Sequence, residues 1–155
     1  MTGITEGMKA PAFDMATADG GRVSLADLKG KAVVLYFYPK ADTPGCTTES
    51  QDFSALIGEF AAANTVVIGV SRDPVKKLAR FAEKRELKVV LASDEPEDVT
   101  LGYGVWVEKK LYGREYMGIE RATFLIDSDG VVRQVWRKVS VKGHAAEVLA
   151  AAQTL

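Results

Sequence analysis

Cysteine is almost missing from this chain, with Cys46 alone among 155 residues. One thiol cannot close an intrachain disulfide, which excludes a disulfide-stapled secreted scaffold. Histidine is equally scarce, His144 being the sole example, and no Cys, His and carboxylate set has metal-ligand spacing. No stretch approaches the roughly 18 consecutive apolar residues of a membrane span. Residues 1–7 carry no basic segment followed by an apolar one, so no export signal is read there and a cytoplasmic location is expected. An excess of one charge is lacking too. Twenty Lys and Arg oppose 21 Asp and Glu, a net charge of -1, which gives no bulk attraction to nucleic acid or an anionic membrane. Glycine-rich nucleotide or phosphate signatures are absent, and no cofactor is expected. Nor is there an internal repeat, a linker or a low-complexity segment.

What remains is a chain with 47% hydrophobic residues, suited to one globular domain over residues 1–155. Its centre is the stretch around Cys46. Residues 32–38 form an apolar run that reads as a buried strand. Pro39 ends it, because proline cannot donate to a sheet ladder. A short polar loop follows, and Thr43, Pro44 and Gly45 open a helix. Proline suits the first helical position, and a threonine hydroxyl can cap the unpaired amides. Cys46 falls in that first turn, where outward-pointing N–H groups favour a thiolate. Farther along, Phe53, Leu56, Ile57, Phe60 and Ala61 recur as one apolar helix face, and Cys46 lies toward that face.

The rest of the chain supplies the frame. Residues 9–13 read as an extended lead-in. Strands at 13–18 and 22–25 flank Asp19-Gly20-Gly21 as a hairpin, and Ser24 caps a short turn stopped by Gly30. Residues 65–70 are a second buried strand. Asp73-Pro74 then opens a helix with Val75, Leu78, Ala79 and Ala82 inward, and its Lys76, Lys77, Arg80, Lys84 and Arg85 form a solvated face. A short strand at 89–92 precedes a helix from Ser93-Asp94 to about Tyr103. Residues 106–119 read as a loop with a strand inside. A hairpin of 121–126 and 131–139 turns at Asp127-Ser128-Asp129-Gly130, and a last helix opens at Gly143-His144. This order predicts an α/β fold, a central mixed sheet flanked by helices with an N-terminal β-hairpin, in a thioredoxin-like arrangement. Ligands of such sheets sit beyond the carboxyl ends of strands, where Cys46 falls.

Pro39, Thr43 and Cys46, spaced P-x-x-x-T-x-x-C, resemble the peroxiredoxin active-site pattern. FYPK at 37–40, TPGCTTE at 43–49, YGVW at 103–106, RATFLID at 121–127 and KGHAAEVL at 142–149 resemble its bacterioferritin-comigratory, or PrxQ-type, branch. The likeness covers nearly the whole chain. It implies a thiol-dependent peroxidase for hydrogen peroxide and organic hydroperoxides. By resemblance, Cys46 is the peroxidatic cysteine, Thr43 hydrogen-bonds the peroxide and the thiolate, and Pro39 shields the sulfur. Arg121 holds thiolate and peroxide oxygens, the amides of Gly45 and Cys46 complete the anion site, and Glu49 organises Arg121. The chain departs from many members at Gln51, where they carry a resolving cysteine. A one-Cys mechanism follows as the expectation, with thioredoxin, glutaredoxin or glutathione as external reductant. The protein is expected as a monomer, a dimer remaining open. Two other readings stay on the table: a redox sensor forming mixed disulfides through Cys46, and a Cys–His hydrolase, which needs His144 beside Cys46.

Overall fold

The computed structural model describes residues 4–155. Strands β1 (Asp14–Thr17) and β2 (Arg22–Ser24) form the expected hairpin, and a 3-10 turn follows at Ala26–Leu28. Ser24 Oγ accepts the amide of Asp27 at 3.2 Å, as a turn cap should. Strand β3 (Ala32–Phe37) is buried along its whole length. After it come α1 (Pro44–Ala55), α2 (Ile57–Ala62), β4 (Thr65–Ser71), α3 (Val75–Lys84), β5 (Val90–Ser93) and α4 (Val99–Gly102). The chain finishes with β6 (Trp106–Leu111), β7 (Arg114–Ile119), β8 (Ala122–Ile126), β9 (Val132–Trp136) and α5 (His144–Ala152).

Seven strands build the main sheet in the order β2-β1-β5-β4-β3-β8-β9. The pairs β3/β4 and β4/β5 are parallel, joined through helices, while β3/β8, β8/β9, β1/β2 and β1/β5 are antiparallel. The mixed sheet expected from the element order is therefore the sheet observed. Along β3 the side chains alternate between two cores. Val34, Tyr36 and Tyr38 face α1, α2, α3 and α5, with Phe53, Phe60, Leu78, Phe81 and Val148 across from them. Val33, Leu35 and Phe37 face the opposite side, closed by Phe13 and Met15 of the N-terminal region, Val99 of α4, and Tyr103. A strand buried on both faces reads as a continuous apolar run, which is why β3 is so plain in the sequence.

Four expectations need correction. The helix after Cys46 is not continuous: it breaks at Leu56, and Ala61 is exposed rather than inward. In α3 the second buried anchor is Phe81; Val75 and Ala79 are only half-buried, while Ala82 packs against the core as expected. The helix placed from Ser93-Asp94 onward begins only at Val99. Asp94 is buried, and its carboxylate accepts the amides of Val99 at 3.1 Å and Thr100 at 2.7 Å, so it caps from a distance. Finally, residues 106–119 form a two-stranded hairpin, β6/β7, turned through Tyr112 and Gly113 with φ of 52° and 77°. Both positive φ values mark the turn that matches strand twist. The hairpin lacks a strong apolar alternation because its sheet carries no other strand.

Candidate active site

The loop between β3 and α1 is held from below by α3 and its approach. The amide of Ala41 donates to Asp73 Oδ2 at 2.8 Å, and Asp42, at φ 62°, binds Lys84 and Arg85, each at 2.9 Å. These two basic residues, with Lys77 on Asp73, belong to the solvated face expected of α3. Helix α1 then starts with Pro44, Gly45 and Cys46 as its first residues. First-turn N–H groups have no partner inside their own helix. Here the threonine cap does not form: Thr43 stands at the cap position, but its hydroxyl donates to the carbonyl of Lys40 at 2.8 Å. The first-turn amides are thus left to other acceptors.

Helix α1 is docked on the sheet by one aromatic stack. The Tyr36 ring stacks on Phe53 at 4.6 Å between centroids, and the Tyr36 hydroxyl shares a hydrogen bond with Ser50 Oγ at 2.8 Å. Tyr36 lies in register beside Gly69 on β4, whose missing side chain leaves room for the ring. This docking turns Cys46 inward, and it is 1% exposed.

Arg121, just before β8, meets the cysteine from the neighbouring strand. Its Nη2 donates to Cys46 Sγ at 3.3 Å, and its Nη1 pairs with Glu49 Oε1 at 2.7 Å. A Cβ on Gly45 would lie 3.2 Å from Arg121 Nη2, so the glycine admits the guanidinium. Burial works against the charge on Arg121, but Glu49 and Cys46 outweigh it and hold its pKa above the ordinary value. Glu49 behaves oppositely. It is 1% exposed with Oε2 unpartnered, and burial lifts its pKa to about 7 although Arg121 pulls it down. The carboxyl carries the larger desolvation cost because it is sealed in the core, while the Arg121 side chain keeps 18% of its surface.

The structure therefore brings together Cys46, Gly45, Glu49 and Arg121. It leaves the Thr43 hydroxyl on a carbonyl and Pro39 exposed in the loop. His144 is elsewhere: its Nε2 bonds Thr123 Oγ1 at 2.8 Å, and its ring packs edge-on against Phe53 and Trp136. Burial lowers its pKa. No hydrogen bond joins it to Cys46, which removes the arrangement a Cys–His hydrolase requires. His144→Ala should keep the peroxide turnover that the resemblance implies within about twofold while losing about 1–3 kcal/mol of stability, the cost of an unpaired buried hydroxyl. Activity and urea denaturation on one preparation check both halves.

Glu49 also makes stability depend on pH. Its folded pKa, about 7, lies above the ordinary 4.5. The unfolded chain therefore releases this proton first as pH rises. Stability is full below pH 4.5 and declines until the folded group ionises near 7. The loss is up to about 3 kcal/mol. Glu49→Gln, which cannot ionise, should lack this decline, as urea denaturation of both proteins at pH 5 and 8 would reveal.

The mixed sheet, with Cys46 at the start of the helix after β3 and Arg121 on its sulfur, is the arrangement that the peroxiredoxin resemblance leads one to expect. The chain belongs to the AhpC/TSA family, whose model matches residues 7–135. Its relatives are peroxiredoxins of the Bcp, or PrxQ, kind. It is 50% identical over 146 residues to a protein called putative peroxiredoxin bcp from Coxiella burnetii, covering 94% of this chain and 97% of that one. Peroxiredoxin Bcp of Bacillus subtilis is 49% identical, with 94% and 93% covered. Among solved structures, the bacterioferritin comigratory protein of Xanthomonas campestris superposes with TM-score 0.90 at 42% identity, covering 97% and 98% of the two chains. That structure is described as a trapped intermediate/ligand complex bearing on alkyl peroxide reduction. A PrxQ mutant from Xylella fastidiosa gives TM-score 0.94 at 34% identity, covering 99% and 98%. Among the described residues no helix is long and apolar enough to cross a membrane.

Proposed function

We propose that Cys46 is the peroxidatic residue of a one-Cys enzyme. Its thiolate attacks the terminal oxygen of a hydroperoxide. The sulfur–oxygen bond forms as the oxygen–oxygen bond breaks. The leaving oxygen takes a proton, so the products are a sulfenic acid and either water or an alcohol. The observation carrying this reading is the 3.3 Å bond from Arg121 to Cys46 Sγ at a helix start with free amides. Arg121 and the amides of Gly45 and Cys46 stabilise the oxygen that gathers charge. Glu49 orients Arg121 from behind. The Thr43 hydroxyl leaves the Lys40 carbonyl and turns to the peroxide, and Pro39 keeps water off the sulfur.

The second half of the cycle needs a thiol from outside. Gln51 stands where the PrxQ-type resemblance implies a resolving cysteine in many members, and Cys46 has no second cysteine in this chain to meet. Thioredoxin, glutaredoxin and glutathione are the candidate reductants, and a monomer in a reducing cytoplasm suffices. Hydrogen peroxide and alkyl hydroperoxides are the proposed substrates; the alkyl peroxide reduction described for the Xanthomonas relative supports the latter.

The test is peroxide consumption with dithiothreitol and then with each reductant, Cys46→Ser serving as the blank. Repeated turnover by the wild type is expected. After peroxide alone, mass spectrometry should find sulfenic or over-oxidised Cys46 and no intrachain disulfide. Stoichiometric oxidation without turnover would make Cys46 a sensor instead. A disulfide-linked dimer as the main product would replace the external thiol with a second subunit.

A further inference from the structure

The hairpin β6/β7 pairs only with itself, yet it runs straight into the site. At its base Trp106 pairs with Ile119, the amide of Glu120 donates to Val105 O at 2.7 Å, and the next residue is Arg121. Lys109 sits on β6 opposite Tyr116. Its stem does not stand straight out. A Cβ on Gly118 would lie 3.2 Å from Lys109 Cδ and 3.5 Å from Cε. Gly118 is one diagonal step nearer the base of the hairpin, so the glycine leaves a channel along which the lysine stem leans toward that base, which Arg121 follows in the chain.

Lys109 is half-buried. Burial holds Lys109 below the usual lysine range, Arg121 adds to that effect, and Cys46 and Glu120 oppose it. Lys110 next door finds Glu115 at 3.7 Å. Among the described residues no carboxylate comes within ion-pair distance of Lys109. A half-buried cation without a counterion, leaning toward the end of the hairpin that Arg121 follows, is a cost that an incoming anion relieves.

We propose that Lys109 is a substrate-recognition residue, binding the carboxylate of a small acidic molecule whose reactive end is at Cys46. The proposal rests on the reading of Cys46 as the reacting sulfur. The carboxylate has two sources: a hydroperoxy acid in the first half of the cycle, or an acidic thiol in the second. Neutral partners do not use the lysine.

The experiment compares wild type with Lys109→Gln in two arms. One arm uses a hydroperoxy carboxylic acid against its methyl ester. The other holds hydrogen peroxide fixed and uses 3-mercaptopropionate against 2-mercaptoethanol. In at least one arm kcat/KM for the acid should fall about tenfold, the worth of one charge-assisted hydrogen bond, while the neutral partner stays within about twofold. That arm identifies the source. Gly118→Ala, which fills the channel, should reproduce the loss, and Lys109→Arg should restore the acid preference. Equal changes for acid and neutral partners in both arms, or no change in either, would overturn the proposal. The neutral partners also report folding. A wild type without turnover on any hydroperoxide would instead sink the proposed function, so the two failures are distinct.

Discussion

Arg121→Ala is expected to lower kcat/KM for hydroperoxide by about 100- to 1000-fold, the size found when one donor to a developing oxyanion is removed. The alternative is that the arginine only ionises the thiol, and magnitudes separate the two. A thiol of pKa about 8.5 is roughly 3% ionised at pH 7, and one near 6 is roughly 90%, about a thirtyfold gain. Nucleophilicity falls with pKa at a slope of about 0.4–0.5 in disulfide exchange. At that slope about tenfold or more of the gain is returned, and only a few-fold acceleration remains. The bulk of the effect must then come from donors to the breaking bond. Arg121 is placed for both tasks, with Nη2 on the sulfur and Nη1 on Glu49. Thiolate absorbance across pH, read beside steady-state rates, checks the point. If rate loss merely followed thiolate fraction, the transition-state account would fail. Arg121→Lys should recover little, because a single ammonium cannot serve sulfur and carboxylate with one planar fork.

The second large effect falls on stability. Gly69→Ala should cost about 3 kcal/mol or more, at the upper end of overpacking. A Cβ there would lie 2.5 Å from Tyr36 Oη and 2.9 Å from Cε1, and it would meet Cζ closer still. The ring cannot retreat, because Phe53 stacks on it and Ser50 holds its hydroxyl. The displacement would therefore reach α1 and shift Cys46 against Arg121, so activity should fall with stability. Urea denaturation measures the first and peroxide turnover the second. A loss under about 1 kcal/mol would mean that the ring moves freely and that the stack is not what docks the helix.

Both effects depend on contacts of unequal visibility in the sequence. Pro44, Gly45 and Cys46 announce a helix start after a buried strand, because proline geometry and a continuous apolar run are local properties. The same holds for Asp19-Gly20-Gly21 and Asp127-Ser128-Asp129-Gly130, whose turns follow from backbone preference. Phe81 and the break at Leu56 were less legible: an apolar helix face shows which side is inward, not where it stops. The hairpin from Trp106 to Ile119 was illegible as such, since a two-stranded ribbon is polar on much of both faces. Thr43 shows the limit of a local rule. Its hydroxyl had two acceptable partners, the helix amides and the Lys40 carbonyl, and the loop conformation chose the second.

By itself the chain order determined a mixed sheet with a lone cysteine beyond the carboxyl end of a central strand, and the missing second cysteine excluded a disulfide within residues 1–155. Only the tertiary structure decided that Arg121, distant in sequence, reaches the sulfur at 3.3 Å, that Glu49 is sealed behind it, and that the Lys109 stem lies over Gly118. Strand and turn signals arise from neighbours along the chain. Side chains from β3, α1 and the approach to β8 meet only when sheet pairing sets their register, and no local pattern encodes that distance.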